Sequence, residues 1–238
     1  MDERSGILAD LARVIATHGT GKPLMSRLCQ ASVALLQVDG CALTLAYNEP
    51  QRVTLCATDP TAEELEDLQD VLSEGPGPDA YETGRPVVVE MGGDDVERWP
   101  LFAESARRTI ERGSIYAFPI HPGSQVLGVL TLYQQVTRPL ARTMTISQFL
   151  ADAIGVAILR EPDLDSELSE QSWSSRARVH QATGMVVAQL GITVDDALAL
   201  LRAHAYAHDR HLVEIAEDVV GRRLDFSVTD NSNGSLRS

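Results

Sequence analysis

A chain of 238 residues has room for one domain of about 150 residues and a smaller one. An apolar content of 44% excludes wholesale disorder, and no apolar stretch is long enough to span a membrane. The net charge of −14 argues against non-specific attraction to nucleic acid, but it is unevenly spread. Residues 1–172 hold 13 Lys and Arg against 26 Asp and Glu, whereas residues 173–226 hold six Arg against seven acids.

Residues 5–17 read as an amphipathic helix, with Ile7, Leu8, Leu11, Val14 and Ile15 on one face. This charged start lacks the basic region and continuous apolar core of a signal peptide, so a cytoplasmic location is expected. Gly19, Gly21 and Pro23 break the pattern before a second helix over 24–36, striped by Leu24, Leu28, Ala31 and Leu35. Asp39-Gly40 makes a turn into strands at 41–47 and 52–58, joined by a hairpin loop at Asn48-Glu49-Pro50. Residues 61–73 are helical, with Thr61 and Glu64 as a capping box. The Gly/Pro-rich passage at 74–86 holds a short helical turn; it reads as a rigid connector, with a phosphate cradle as the alternative. A strand at 87–89, a loop at 92–100, a helix at 101–111 and strands at 115–119 and 126–133 follow. The run Phe149, Leu150, Ala153, Ile154, Ala157 and Ile158 closes this part as a helix. That order predicts an α+β domain around an antiparallel sheet.

Three cysteines, Cys29, Cys41 and Cys56, form no C-x-x-C pair and sit in apolar surroundings. They read as buried reduced thiols, with a redox or chromophore-attaching thiol as the alternative. No His/Cys cluster has metal spacing, and no G-x-S-x-G, Walker loop or paired carboxylates appear. His18 and His121 lie in turns and read as surface residues. An enzyme is not expected, and no cofactor is implied.

The passage Glu74-Gly-Pro-Gly-Pro-Asp-Ala-Tyr-Glu-Thr-Gly-Arg-Pro86, the Arg98-Trp99-Pro100-Leu-Phe102 run and the strands Ala117-Phe-Pro-Ile120 and Leu127-Gly-Val-Leu-Thr-Leu-Tyr133 carry a likeness. Together they resemble a GAF domain, a cytoplasmic sensory fold, over about residues 5–160. The resemblance implies a ligand pocket between the sheet and its covering loops and helices, near residues 75–118. The Asn-Lys-x-x-x-Phe-Asp-Glu signature of cyclic-GMP-binding relatives is absent, and no cysteine stands in a bilin-attaching Cys-His context. An unidentified small molecule, or no ligand, remains as the expectation.

Residues 161–172 form an acidic connector that reads as a helical stalk, with Leu164, Leu168 and Trp173 leading toward Val179. Three helical patterns then follow. Val179, Ala182 and Val186 stripe the first, which ends with Leu190 before Gly191; Leu198, Leu201 and Ala205 stripe the second; Leu212, Ile215, Ala216, Val219 and Val220 stripe the third. Thr193-x-x-Asp196 is a start signal for the second, and Asp195 and Asp196 suit the positive end of its dipole. Ala182 and Gly184 read as small residues that let helices approach closely. Residues 227–238 are Ser/Asn/Gly-rich and read as a disordered tail.

The pattern Ser175-Arg176, Val179, Ala182-Thr183-Gly184-Met185, Asp196-Ala197, Leu201-Arg202, Ala205, Leu212, Ile215-Ala216 and Val219-Val220 resembles the ANTAR domain, the RNA-binding output module of bacterial antiterminators. Many family members have Lys where this chain has Thr183. The fold class expected is therefore an α+β, GAF-like sheet domain at 1–160, a stalk at 161–172, an all-α three-helix bundle at 173–226 and a tail at 227–238. The resemblance implies binding of RNA stem-loops in a leader transcript, which prevents a terminator hairpin. A single bundle suits one hairpin loop, so a homodimer reading two loops is expected, and no membrane partner is expected. A receiver domain, a common companion of this module, needs an acidic cluster and a strand-end Lys, whereas the single lysine here is Lys22 in a Gly-rich loop. Arg176, Arg178, Thr183, Arg202, His204, Arg210 and His211, beside His208, form the candidate RNA surface; Arg222 and Arg223 are weaker candidates. Arg grips phosphate bidentately or stacks on an unpaired base, and Thr183 offers one hydrogen bond. The alternatives are a helix-turn-helix DNA binder and a metabolite-binding GAF protein with a C-terminal dimerisation module. Each arginine also has the plainer reading of a solvated charge or a partner to Asp195, Asp196 or Asp209.

Overall fold

The computed structural model describes residues 3–17, 21–46, 52–93, 97–160, 173–208 and 210–227. The chain divides into two compact units, Met1–Ser172 and Trp173–Ser238. The expected hairpin loop at 48–50, the stalk at 161–172, His18 and residues 228–238 of the tail lie outside the described residues.

In the first unit the elements are α1 (Glu3–Thr17), α2 (Leu24–Leu36), β1 (Gly40–Ala46), β2 (Arg52–Ala57), α3 (Pro60–Leu72) and α4 (Pro76–Thr83), then β3 (Val87–Glu90), α5 (Pro100–Ala106), β4 (Ser114–Ile120), β5 (Gly128–Gln134) and α6 (Met144–Leu159). The five strands form one sheet in the order β2-β1-β5-β4-β3. Every neighbouring pair is antiparallel, with Leu43 opposite Leu130, Ile115 opposite Tyr133 and Val89 opposite Ile115.

Both faces of the sheet are covered, which is why β4 and β5 are buried along their whole length rather than alternating between core and solvent. One face packs Leu43, Leu45, Phe118, Ile120, Leu130 and Leu132 against Ile7 and Leu11 of α1, Leu28 of α2 and Leu150, Ile154 and Ile158 of α6. The other packs Ala42, Val89, Ile115 and Tyr133 against Leu65 of α3 and Phe102 and Ala106 of α5. Fully burying each large side chain of this kind contributes about 1.5–3 kcal/mol. Among the described residues, no single helix is long and apolar enough to cross a membrane.

Three expectations need correction here. The cap of α3 is Asp59, whose carboxylate accepts the Ala62 amide at 3.0 Å, and not Thr61. Pro60 occupies the first helical turn, where its missing N–H costs nothing, so the helix starts one residue before Thr61. The helix expected at 101–111 ends at Ala106; the Ile110 amide then folds back onto the Ala106 carbonyl at 2.7 Å and Ile110 becomes fully buried. Cys29 and Cys56 are joined by a disulfide rather than being reduced thiols. Packing of α2 over the edge strand β2 brings together positions that lack any local Cys spacing. Cys41 is a buried thiol, and burial pushes its pKa up, with the charges of Glu66 and Asp59 adding to the effect.

The second unit is α7 (Trp173–Leu190), α8 (Val194–Ala207) and α9 (Leu212–Val220). Gly191, at a φ of +66°, lets the chain leave α7. Thr193 caps α8 as its sequence pattern predicts: its hydroxyl accepts the Asp196 amide at 3.1 Å and donates to the Asp196 carboxylate at 2.7 Å. The three stripes meet in one small core of Val179, Ala182, Val186, Leu198, Leu201, Ala205, Leu212, Ile215, Ala216 and Val219.

Candidate nucleic-acid interface and sensory face

Helix α9 has an acidic outer side that gathers arginines from the rest of the second unit. Asp218 takes Arg210 Nη1 at 2.7 Å on one oxygen and Arg223 Nε at 2.6 Å on the other. Glu214 pairs with Arg210 Nε at 3.3 Å, and Glu217 pairs with Arg178. The hydrogen bond from Arg210, then that from Arg223, holds the Asp218 carboxyl below its ordinary pKa. Exposed pairs of this kind contribute little to stability. Their chemical consequence is that a phosphate reaching Arg178 or Arg210 must exchange with a carboxylate already there.

The other expected site residues divide sharply. Arg202 is half-buried on α8, and His211 is exposed at the start of α9. Arg176 falls within α7, and its side chain lies outside the described residues. Thr183 is not presented at the surface as expected: it is 5% exposed, and its hydroxyl donates to the Val179 carbonyl at 2.7 Å. The core stripe of α7 turns that position inward. Gly184 is also corrected. A Cβ there would meet nothing within 4 Å, so it is no helix–helix contact within this unit, whereas Ala182 is fully buried.

His204 and His208, one turn apart on α8, are stacked with ring centroids 4.0 Å apart and planes 24° from parallel. Phe226 meets His204 edge-on at 5.3 Å and 79°. Desolvation, then the nearby His208 and Arg210 charges, lowers the His204 pKa and favours the neutral ring. Phe226 was not among the sequence candidates. The i, i+4 spacing of the two histidines was the one signal available for this cluster.

In the first unit, the region expected to hold a sensory pocket is packed by Trp99, Phe102, Ala106 and Ile110, each 4% exposed or less. A buried polar chain runs beside them. The Gly77 amide donates to Gln69 Oε1 at 2.7 Å, and Gln69 Nε2 donates to Glu66 at 2.9 Å. The other Glu66 oxygen accepts the Thr44 hydroxyl at 2.6 Å, and Thr44 lies 3.1 Å from Thr54 Oγ1. The Thr131 hydroxyl, in a residue 3% exposed on the neighbouring strand, has no hydrogen-bond partner among the described residues. The Gly/Pro passage is held structurally. Pro76 opens α4, Gly84 closes it at a φ of +63°, and Glu74 accepts the Leu101 and Phe102 amides at the start of α5. Arg98 pairs with Asp79 at 2.6 Å and lies over the Trp99 ring, so this passage reads as the rigid connector.

The first unit is a five-stranded antiparallel sheet with helices on both faces, and the second is a three-helix unit. The chain belongs to the GAF domain family, whose model matches residues 22–158, and it carries an ANTAR domain at residues 169–220. Among solved structures, it is similar to the GAF domain/HD domain protein from Geobacter sulfurreducens at 14% identity, over 65% of this chain and 95% of that one, with a TM-score of 0.39. It is also similar to the A. aeolicus nlh2 GAF domain in an inactive state at 13% identity, over 66% and 97%, with a TM-score of 0.37. A third similarity is to SdiA in complex with octanoyl-rac-glycerol, at 14% identity over 93% and 95%, with a TM-score of 0.46. No curated protein matches the chain.

Proposed function

We propose that this protein is a signal-responsive transcription antitermination regulator of the cytoplasm, not an enzyme. Its C-terminal unit binds stem-loops in leader RNA, as one half of a homodimer, and prevents a terminator hairpin from forming. The observation that carries this reading is the coincidence of the ANTAR match with a separate three-helix unit rich in surface Arg and His. That unit is close to neutral while the rest of the chain is strongly acidic, so recognition rests on local groups and shape rather than on a long-range field. The signal is a small molecule received by the GAF unit. The buried polar chain from Thr44 to Gln69, with a Thr131 hydroxyl that has no partner among the described residues, supports a polar one.

The test recovers RNA crosslinked to the full chain and titrates a recovered hairpin in a gel shift, with duplex DNA as competitor. The hairpin is expected to bind and the duplex to compete poorly. Arg202→Ala is expected to weaken binding about tenfold, the loss of one charge-assisted contact, with helical content unchanged by circular dichroism. Preference for duplex DNA, or failure to retain any transcript, contradicts the reading.

A further inference from the structure

We infer that His204, His208 and Phe226 form a ledge on which the second unit stacks an unpaired RNA base, with Arg210 beside it to take the adjoining phosphate. This rests on the RNA-binding reading above and names the groups that receive the base. Three aromatic rings gather at the end of α8, yet none belongs to the buried core of the unit. His208 is exposed, and His204 and Phe226 are half-buried. Ring packing that excludes so little water is poorly explained by core formation.

The cluster is also held in place. His208 Nδ1 lies 2.8 Å from the His204 carbonyl oxygen, and the Phe226 amide donates to Gln189 Oε1 of α7 at 3.3 Å. Two hydrogen bonds, each between a side chain and the backbone, therefore hold the cluster before any ligand arrives, which reduces the ordering cost on binding. His204 backs one face of the His208 ring while His208 itself is open to solvent, the geometry of a stack lacking its last member. The lowered His204 pKa favours the neutral form of the backing ring.

A cation stands next to it. The Arg210 amide donates to the Ala205 carbonyl at 3.0 Å, which anchors Arg210 at the same end of α8. Its guanidinium holds Glu214 and Asp218, and a phosphate replaces a carboxylate there in kind. A flat aromatic ring beside an exchangeable guanidinium suits a single-stranded nucleotide, whose base is unpaired and whose phosphate is adjacent. A duplex hides the face that the ledge would take.

The probe is a hairpin RNA selected by the full chain from a pool with randomised loops. His208→Ala is expected to weaken its binding by about tenfold or more, the effect of losing one stacked base, with the salt dependence unchanged because no phosphate contact is removed. His208→Phe is expected to restore binding. Should His208→Ala unfold the unit by circular dichroism, Phe226→Ala, which leaves the helices intact, carries the same expectation. If the wild-type chain selects and binds hairpins but these variants bind equally well, the ledge is refuted while RNA binding stands. If the wild-type chain retains no hairpin, the RNA reading falls and the ledge with it.

Discussion

Asp59 serves three partners at once. One oxygen accepts both the Ala62 amide at 3.0 Å and the Tyr133 hydroxyl at 2.8 Å, and the other accepts the Thr58 hydroxyl at 2.7 Å. Burial, then this hydrogen bond and the carboxylate charge, pushes the Tyr133 pKa up to about 12. Asp59→Ala is expected to lower the Tyr133 pKa toward the ordinary phenol value, and to destabilise the first unit by about 1 kcal/mol through the lost cap. An ultraviolet tyrosinate titration, with Tyr133→Phe as the subtraction control, checks the first effect; an unchanged Tyr133 titration contradicts the assignment. At this scale the sequence was least informative. Thr61 and Glu64 offer as good a capping pattern as Asp59, and nothing local says that Thr183 turns into the core while Arg178 meets Glu217. Partners such as Tyr133, 74 residues away from Asp59, are set by packing.

Helices and strands were far more legible, because their periodicity is local. Helix α2 and the strands β1 to β5 emerge from apolar spacing and turn residues with boundary differences of a residue or two, and the expected stripes of α7, α8 and α9 each fall within one helix. The exception, α5, ends early because burying Ile110 requires the chain to turn after Ala106. Gly184 shows what periodicity leaves open. It lies inside α7, in a motif that suggests a close contact, yet a Cβ there meets open space. Gly184→Ala is therefore expected to stabilise the second unit by about 0.5–1 kcal/mol, the usual gain from removing a mid-helix glycine. Urea unfolding followed by circular dichroism measures it, and a loss of stability contradicts the open position of Gly184.

Across the whole molecule, two compact units with different charge balance share one chain, and the charge asymmetry was visible from the sequence alone. What the sequence could not supply was the state of the cations. Arg178, Arg210 and Arg223 already hold carboxylates of α9, so on the proposed function RNA trades places with these acids and gains little from net charge. That makes the salt dependence of RNA binding decisive. Titrating the selected hairpin against the full chain over a range of salt is expected to give a shallow log–log slope, about −3 or less in magnitude, as for a few phosphate contacts, and affinity that disappears when the loop bases are replaced by abasic sites. A steep slope with no dependence on the loop bases would mean that the chain holds RNA through charge alone, contrary to recognition by local arginines and stacked rings.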